Sequence, residues 1–402
     1  MKKVLIAGVS VRAAAASAAR AGFAVAAIDA FGDRDQHPSV RSLALQRDLG
    51  VPFSAPAVVQ AARDIECDAV VYLSNFENHP GAVAALARGR SLWGNPPEVL
   101  RQVRDPLLVA RVLRQRGIAV PEVSMGRRSP DPVVPHDNER STSRMVRHWL
   151  VKPILSGGGH GVRRWQGGKL PRGCYRQERV DGTSGSVVFV AAGGRAVPLG
   201  FSRQLVGESA FGAAGYRYCG SILAGAGDPQ FARDEALADA VPVLTGTLAE
   251  EFALVGVNGI DFVACDGSPF VVEVNPRWSA SMELIERAYE LSVFEAHASA
   301  CAVGALPQFD FIRARRGAAA VGKAVVFARC DVTVGDTNEW LSGRAAGHQT
   351  AIADVPDDGE KIPAGRPVCT VLAAGCDASS CHAELVHSAN RVYTDLTRWQ
   401  GR

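Results

Sequence analysis

The chain has no apolar run long enough to cross a membrane, no block of like charge and no paired-cysteine spacing, and each absence removes a class of protein. Lysine and arginine number 44 against 41 acids, a formal charge of +3, and no basic stretch alternates with aromatics. A nucleic-acid partner is therefore not expected. The nine cysteines are odd in number and irregularly spaced, so they make no disulfide framework and fit a reducing compartment. Cys376, Cys381, His382 and His387 fall close together, but without the close ligand pairs of common zinc modules; buried free cysteine is the alternative reading. Met1-Lys2-Lys3 before an alanine-rich stretch imitates a signal peptide, yet Arg12 and Arg20 interrupt it and a second strand follows, ending at Asp29. The expectation is a soluble, cytoplasmic protein.

What is present is ample apolar material: 47% of 402 residues, enough for two or three domains. Up to residue 95, strands at Val4–Ala7, Val25–Ile28, Ala69–Leu73 and Ser91–Trp93 alternate with alanine-rich helical stretches. That spacing predicts a doubly wound parallel sheet. Gly8-Val9-Ser10-Val11-Arg12 fills the first turn without the Gly-x-Gly-x-x-Gly pattern, so a tight strand-to-helix turn is the better reading than a dinucleotide site. Ligands of such sheets lie beyond the carboxyl ends of the strands. Two loops there, one with Asp33 and one with Glu77 and Asn78, are either substrate contacts or solvated polar loops. From Pro97 to Gly117 the pattern gives two helices, the second capped by Asp105 with Pro106 in its first turn. Residues 126–147, charged and proline-rich, read as a surface excursion.

The chemistry concentrates further on. Gly259-Ile260-Asp261-Phe262 and Val271-Val272-Glu273-Val274-Asn275-Pro276-Arg277 read as two strands joined by a turn at Asp266-Gly267-Ser268. Period two puts Glu273 and Asn275 on one face, and the hairpin folds Asp261 alongside. Three hard oxygens converging there suit magnesium with a nucleotide's phosphates, with Arg277 to clamp a phosphoryl oxygen; a hairpin with solvated acids is the plainer alternative. Upstream, Lys152-Pro153 leads into Ser156-Gly157-Gly158-Gly159-His160-Gly161, a glycine-rich loop able to lay backbone N–H groups on phosphate. Gln177-Glu178-Arg179-Val180-Asp181-Gly182 follows, a short strand and turn suited to an adenine edge. Arg203 and Gln204 end a strand beginning near Val197 and face either the cleft or solvent. Ser279 to Ser281 form either a substrate pocket or a helix cap with Glu283 in the first turn.

Lysine-proline, glycine loop, Gln-Glu-x-Val-x-Gly, Asp-Phe and Glu-x-Asn-Pro-Arg, in that order, resemble the ATP-grasp superfamily from the first strand to about residue 300. The resemblance implies a mixed α/β and α+β chain. Residues 1–95 would be the α/β domain that precedes the grasp, 96–117 connecting helices, 118–185 the lid, 186–305 the catalytic subdomain and 306–402 a small β-rich module. It implies ATP and Mg²⁺, or Mn²⁺, as cofactors. Asp261, Glu273 and Asn275 would be metal ligands, and Arg277 and Lys152 would act on the transferred phosphoryl group. Arg104, Lys152, Gly157, Gly158, Gly159, Gly161, Gln177, Glu178 and Val180 would hold the nucleotide. Asp33, Glu77, Asn78, Arg203 and Ser281 are the substrate candidates. The reaction implied is activation of a small-molecule carboxylate as an acyl phosphate for attack by an amine, giving an amide, possibly glutamyl, bond; many relatives are homodimers. A kinase, a carboxylase-type enzyme or a nucleotide-binding protein without turnover are the alternatives. A narrower similarity, to members acting in one-carbon cofactor pathways, rests on Gly94-Asn95-Pro96 and Arg104-Asp105-Pro106. Two departures stand out: Pro106 replaces a lysine common in the family, and Thr183-Ser184-Gly185-Ser186 lacks the usual ribose-binding acid.

Overall fold

The computed structural model describes residues 1–126, 148–342 and 352–400, so most of the proline-rich excursion lies outside the described residues. The N-terminal sheet is parallel. Its strands β1 (Lys3–Ala7), β2 (Ala24–Asp29), β3 (Arg41–Ala44), β4 (Ala69–Tyr72) and β5 (Ser91–Leu92) lie in the order β3-β2-β1-β4-β5. Alternate residues of β1 feed opposite layers: Val4 and Ile6 pack toward α1 (Arg12–Arg20), while Leu5 and Ala7 pack with α2 (Leu45–Leu49), α3 (Ala55–Ala61) and α4 (Pro80–Leu86). Both faces are thus covered, as parallel sheets require. Each fully buried leucine or isoleucine there contributes about 2 to 3 kcal/mol. The short strand β3 was not foreseen; its pattern Arg-Ser-Leu-Ala carries one buried residue.

Two helices lead onward, α5 (Pro97–Val103) and α6 (Pro106–Gln115). As expected, Asp105 caps the second, its Oδ1 accepting from the Leu107 and Leu108 amides at 2.9 and 3.2 Å. Where the lid is expected lies a four-stranded sheet ordered β6-β9-β7-β8, from β6 (Val123–Ser124), β7 (Trp149–Pro153), β8 (Arg163–Arg164) and β9 (Cys174–Glu178).

An eight-stranded antiparallel sheet forms the larger body. It takes β10 (Thr183–Ala192), β11 (Arg195–Val206), β12 (Tyr218–Leu223), β13 (Gly256–Cys265) and β14 (Ser268–Asn275), with α7 (Asp234–Phe252) against one face and α8 (Ser281–Tyr289) and α9 (Val293–Val303) against the other. Beyond α10 (Phe311–Arg315) the chain returns to the same sheet. β15 (Ala320–Phe327) pairs with β12; β16 (Val332–Thr333), α11 (Asn338–Ser342), β17 (Ile352–Ala353) and β18 (Lys361–Ile362) precede β19 (Pro367–Gly375), which pairs with β15, and α12 (Ala378–Gln400) covers the outside. The order is β14-β13-β10-β11-β12-β15-β19-β17, so the β-rich C-terminal segment extends the sheet that holds β10 to β14. Among the described residues no helix is long and apolar enough to cross a membrane.

Candidate nucleotide and metal site

The Asp266-Gly267 turn has positive φ at both residues, 49° and 80°, the two-residue hairpin geometry whose twist matches paired strands. Its register sets Asp261 opposite Glu273 and Gly259 opposite Asn275. The Asn275 amide donates to Asp261 Oδ2 at 3.0 Å, and the Gln204 amide reaches Asp261 Oδ1 at 2.9 Å. Burial and the neighbouring Glu273 charge push the Asp261 carboxyl up to about 6, against hydrogen bonds from Asn275 and Ser186. Burial would raise Glu273 too, but the charges of Arg104, Lys152 and Arg277 bring it below its ordinary value. Two half-buried carboxylates in register, one resisting ionisation beside the other, are a donor set that a divalent cation would satisfy. Magnesium takes few protein carboxylates and completes its shell with water and phosphate oxygen, and the residues present fit that demand.

Opposite the hairpin, across a cavity of about 360 Å³, stand the lid strands. That volume suits a small-molecule ligand. Arg104, Lys152, Gly158, Gly159, Gln177, Glu178, Val180, Asp261 and Glu273 all line it. Lys152 Nζ donates to Gln177 Oε1 at 3.1 Å, and the Gln177 amide donates to the Val272 carbonyl at 3.2 Å, so lid and hairpin are tied at the cavity wall. The Glu178 carboxylate accepts from the Glu122 amide at 3.1 Å and its own amide donates to the Glu122 carbonyl at 2.8 Å, while the Arg179 amide donates to the His148 carbonyl at 2.7 Å, so that Val180 follows them on the cavity wall. Arg104 ends α5 and reaches three partners: Glu273 at 2.5 Å and the carbonyls of Ile154 and Ser156 at 3.1 and 2.9 Å. It thereby joins Glu273 to the start of the glycine loop, from the position next to Asp105 and Pro106.

The glycine loop is seated on β12. Tyr218 donates its amide to the Gly158 carbonyl at 3.0 Å, and a Cβ at Gly159, whose φ is +74°, would lie 1.7 Å from the Tyr216 carbonyl oxygen. Only glycine fits there. Gly161 packs beside Pro153, whereas Gly157 has open space around it.

The substrate candidates separate. Glu77 is buried and its Oε1 lies 2.8 Å from Arg277 Nη2; Asn78 is buried beside it in the same turn. Asp33 belongs to another cluster, where burial and the charges of Asp354, Asp29 and Asp35 raise its carboxyl against the pull of Arg12. Arg203 does not face the cleft. Successive strand residues point to opposite faces, and with Gln204 on Asp261, Arg203 lies on the α12 side near the Cys381 thiol. Ser281 is buried at the start of α8 but makes no cap: Ala280 holds that position without a side-chain bond, and Glu283 turns inward to Arg12 at 3.0 Å and Lys323 at 2.6 Å. Sequence reasoning missed that pair and the polar network behind Pro276. There the Tyr72 hydroxyl lies 2.9 Å from the Asn95 carbonyl and 3.1 Å from the Pro276 carbonyl, and the Asn95 amide donates to Pro276 and to Asn258 at 3.0 and 2.7 Å. Asn95 in Gly-Asn-Pro was its one visible signal. Among the described residues no three His, Cys, Asp or Glu side chains gather to hold a metal; Cys381 is buried in the core and His382 pairs with Glu208 at 2.7 Å.

Residues 103–281 match the ATP-grasp domain family. Among solved structures the chain resembles L-amino acid ligase from Bacillus licheniformis, at 15% identity over 97% of both chains with a TM-score of 0.65. It also resembles N5-carboxyaminoimidazole ribonucleotide synthetase from Thermotoga maritima, at 14% identity over 97% of this chain and 98% of that one, TM-score 0.63. Biotin carboxylase from Campylobacter jejuni matches at 13% identity over 95% and 89%, TM-score 0.67. At such identities the likeness is one of fold. No match was found among curated protein sequences.

Proposed function

We propose that this chain, whose residues 103–281 match the ATP-grasp domain family and whose fold is like that of an L-amino acid ligase and a ribonucleotide synthetase, is an ADP-forming ligase that activates a small-molecule carboxylate as its acyl phosphate for attack by an amine. The observation that carries this reading is the facing of Asp261 and Glu273 by Lys152 and the glycine loop across one cavity between two sheets. Lys152, with Gly158 and Gly159, would hold the phosphates; the strand end at Glu178 to Val180 would border adenine. Asp261, Glu273 and Asn275 would hold Mg²⁺, which supplies charge neutralisation at the transferred phosphoryl group. Arg277 would steady the same group, and the lid would keep water from the acyl phosphate. Phosphoryl transfer needs positioning and charge more than a protein nucleophile.

The L-amino acid ligase and the ribonucleotide synthetase share the fold, and an amine acceptor is in keeping with both names. The one-carbon cofactor setting gains no support from these comparisons and is left out of this reading. The test is ADP release from Mg-ATP by the purified protein across pools of carboxylates, glutamate among them, crossed with pools of amines, with products read by mass. Release requiring both partners, and a product equal to their sum less water, is expected. Release with a carboxylate or bicarbonate alone would favour a kinase or carboxylase-type enzyme, and Mg-ATP binding without release under every pair would leave an acceptor outside the pools or a binding protein.

A further inference from the structure

Arg277 is not held by its own domain alone. The loop after β4 folds into a single turn, Phe76–Asn78, anchored by the fully buried Phe76 ring, and this turn projects Glu77 from the N-terminal sheet onto Arg277. The Glu77 side chain is 2% exposed, and Oε1 lies 2.8 Å from Arg277 Nη2. The same Nη2 is 3.3 Å from Asn275 Oδ1, and Asn275 donates to Asp261, so an unbroken polar chain runs from the N-terminal loop to the metal carboxylate. Arg277 Nη1 donates to the Trp278 carbonyl at 3.0 Å, and Tyr72 and Asn95 fix the Pro276 carbonyl one residue before. Glu77 Oε2 and Arg277 Nε, both buried, have no partner. The pair therefore retains one acceptor and one donor for a ligand.

Resting on the nucleotide reading above, we infer that Glu77 is a positioning residue that aims Arg277 at the terminal phosphoryl group of the bound nucleotide, so that the N-terminal domain completes the site. A buried ion pair is a poor stabiliser compared with apolar side chains of the same volume, so fold stability alone is a weak account of it. Its geometry gives a better one. The guanidinium meets Glu77 of the N-terminal loop and Asn275 of the hairpin, which in turn holds Asp261, so it bridges that loop and the carboxylate pair. With Glu77 removed, the pull of the two metal carboxylates is unopposed. Arg277 would swing onto them, leaving the phosphoryl position and competing with Mg²⁺ for the same oxygens.

The experiment measures dissociation constants of Mg-AMPPNP and Mg-ADP by calorimetry on the full chain, for wild type, Glu77→Ala, Glu77→Gln, Arg277→Gln and the double variant Glu77→Ala/Arg277→Gln. Glu77→Ala is expected to weaken Mg-AMPPNP about tenfold, roughly 1.4 kcal/mol, and Mg-ADP less than about twofold. Glu77→Gln, which keeps a hydrogen bond and its volume, should fall between, and the double variant should bind no worse than Arg277→Gln alone. A merely structural Glu77 would weaken both nucleotides alike; that result, unchanged Mg-AMPPNP affinity, or additive losses would each overturn the inference while leaving the ligase reading standing. Failure of the wild type to bind either nucleotide would overturn both.

Discussion

His297 is the residue at which the fold commits most plainly to one protonation state. It is buried on the inner face of α9, its Nδ1 accepts the Val257 amide at 3.0 Å, and burial lowers its pKa from the ordinary 6.5 to about 4, the hydrogen bond to the Trp93 backbone opposing. The folded protein thus keeps it neutral where the unfolded chain would take a proton. Its contribution is fully present above pH 6.5 and is lost as pH falls from 6.5 toward 4, by about 3 kcal/mol at most. Asp29 and Asp261 run the other way: burial raises each to about 6, so the fold takes up protons there as pH falls through that value. Urea unfolding of wild type against His297→Asn, which keeps an acceptor for Val257, isolates the histidine: the variant should lose less stability between pH 6.5 and 4.5, and parallel curves would sink the assignment. At the Asp261–Glu273 pair, Glu273→Gln removes the charge that balances Arg104 and Lys152. ADP release should fall below detection with the melting temperature little changed, and full turnover would refute the metal role of Glu273.

Among the elements, the glycine loop makes the sharpest demand. Gly159→Ala combines a left-handed backbone, a strain of about 1 kcal/mol, with a Cβ that cannot coexist with the Tyr216 carbonyl, so the loop must leave β12. Because the loop is partly exposed and carries little of the core, thermal stability should hardly move while Mg-ATP binding weakens about tenfold; unchanged affinity would show that the seated loop is not the binding form. The hairpin that carries Asp261 and Glu273 was readable because Asp-Gly names its turn and period two names its faces. The parity of Arg203 and Gln204 was not. A bulge sets an extra residue, Leu199, between the partners of Val188 and Phe189, and the strand changes face between Leu199, packed toward α8 and α9, and Phe201, packed toward α7. Counting from Val197 therefore gives the wrong side. Likewise Glu283 looked like a first-turn acid serving its helix, because the cations that claim it lie 271 and 40 residues away in sequence.

On the scale of the molecule, the order of motifs from Lys152 to Arg277 was legible, whereas the joining of distant parts was not, since strand neighbours such as β12 and β15 and ion pairs between domains leave no local pattern. The main joint is Arg12, which the sequence presents only as a turn residue. Its Nε lies 2.7 Å from Asp354 and 3.4 Å from Asp35, and its Nη2 3.0 Å from Glu283, so one buried guanidinium ties the N-terminal sheet, α8 and the chain after β17. The backbone follows the same seam: Asp35 Oδ1 accepts the Val355 amide and the Arg34 amide donates to the Val355 carbonyl, both at 2.9 Å. Burial would raise Glu283 and Asp354, but Arg12 and then Lys323 hold both below their ordinary 4.5 and 3.8. Depressed carboxylates stabilise the fold above those ordinary values, and that stability is lost as pH falls through the folded ones. Arg12→Met would take the guanidinium from the interior acids Asp354 and Asp35, leaving Glu283 to Lys323 and Arg287, and should cost about 3 to 5 kcal/mol near neutral pH. The loss should shrink as pH drops from neutral, because burial, no longer opposed by Arg12, lifts these acids above their ordinary values and they take protons there at little cost. Urea unfolding of both proteins from pH 7 to pH 3.5 checks this: a gap under about 1 kcal/mol at pH 7, or one that stays constant with pH, would mean that the three parts are held together by their apolar contacts and not by this arginine.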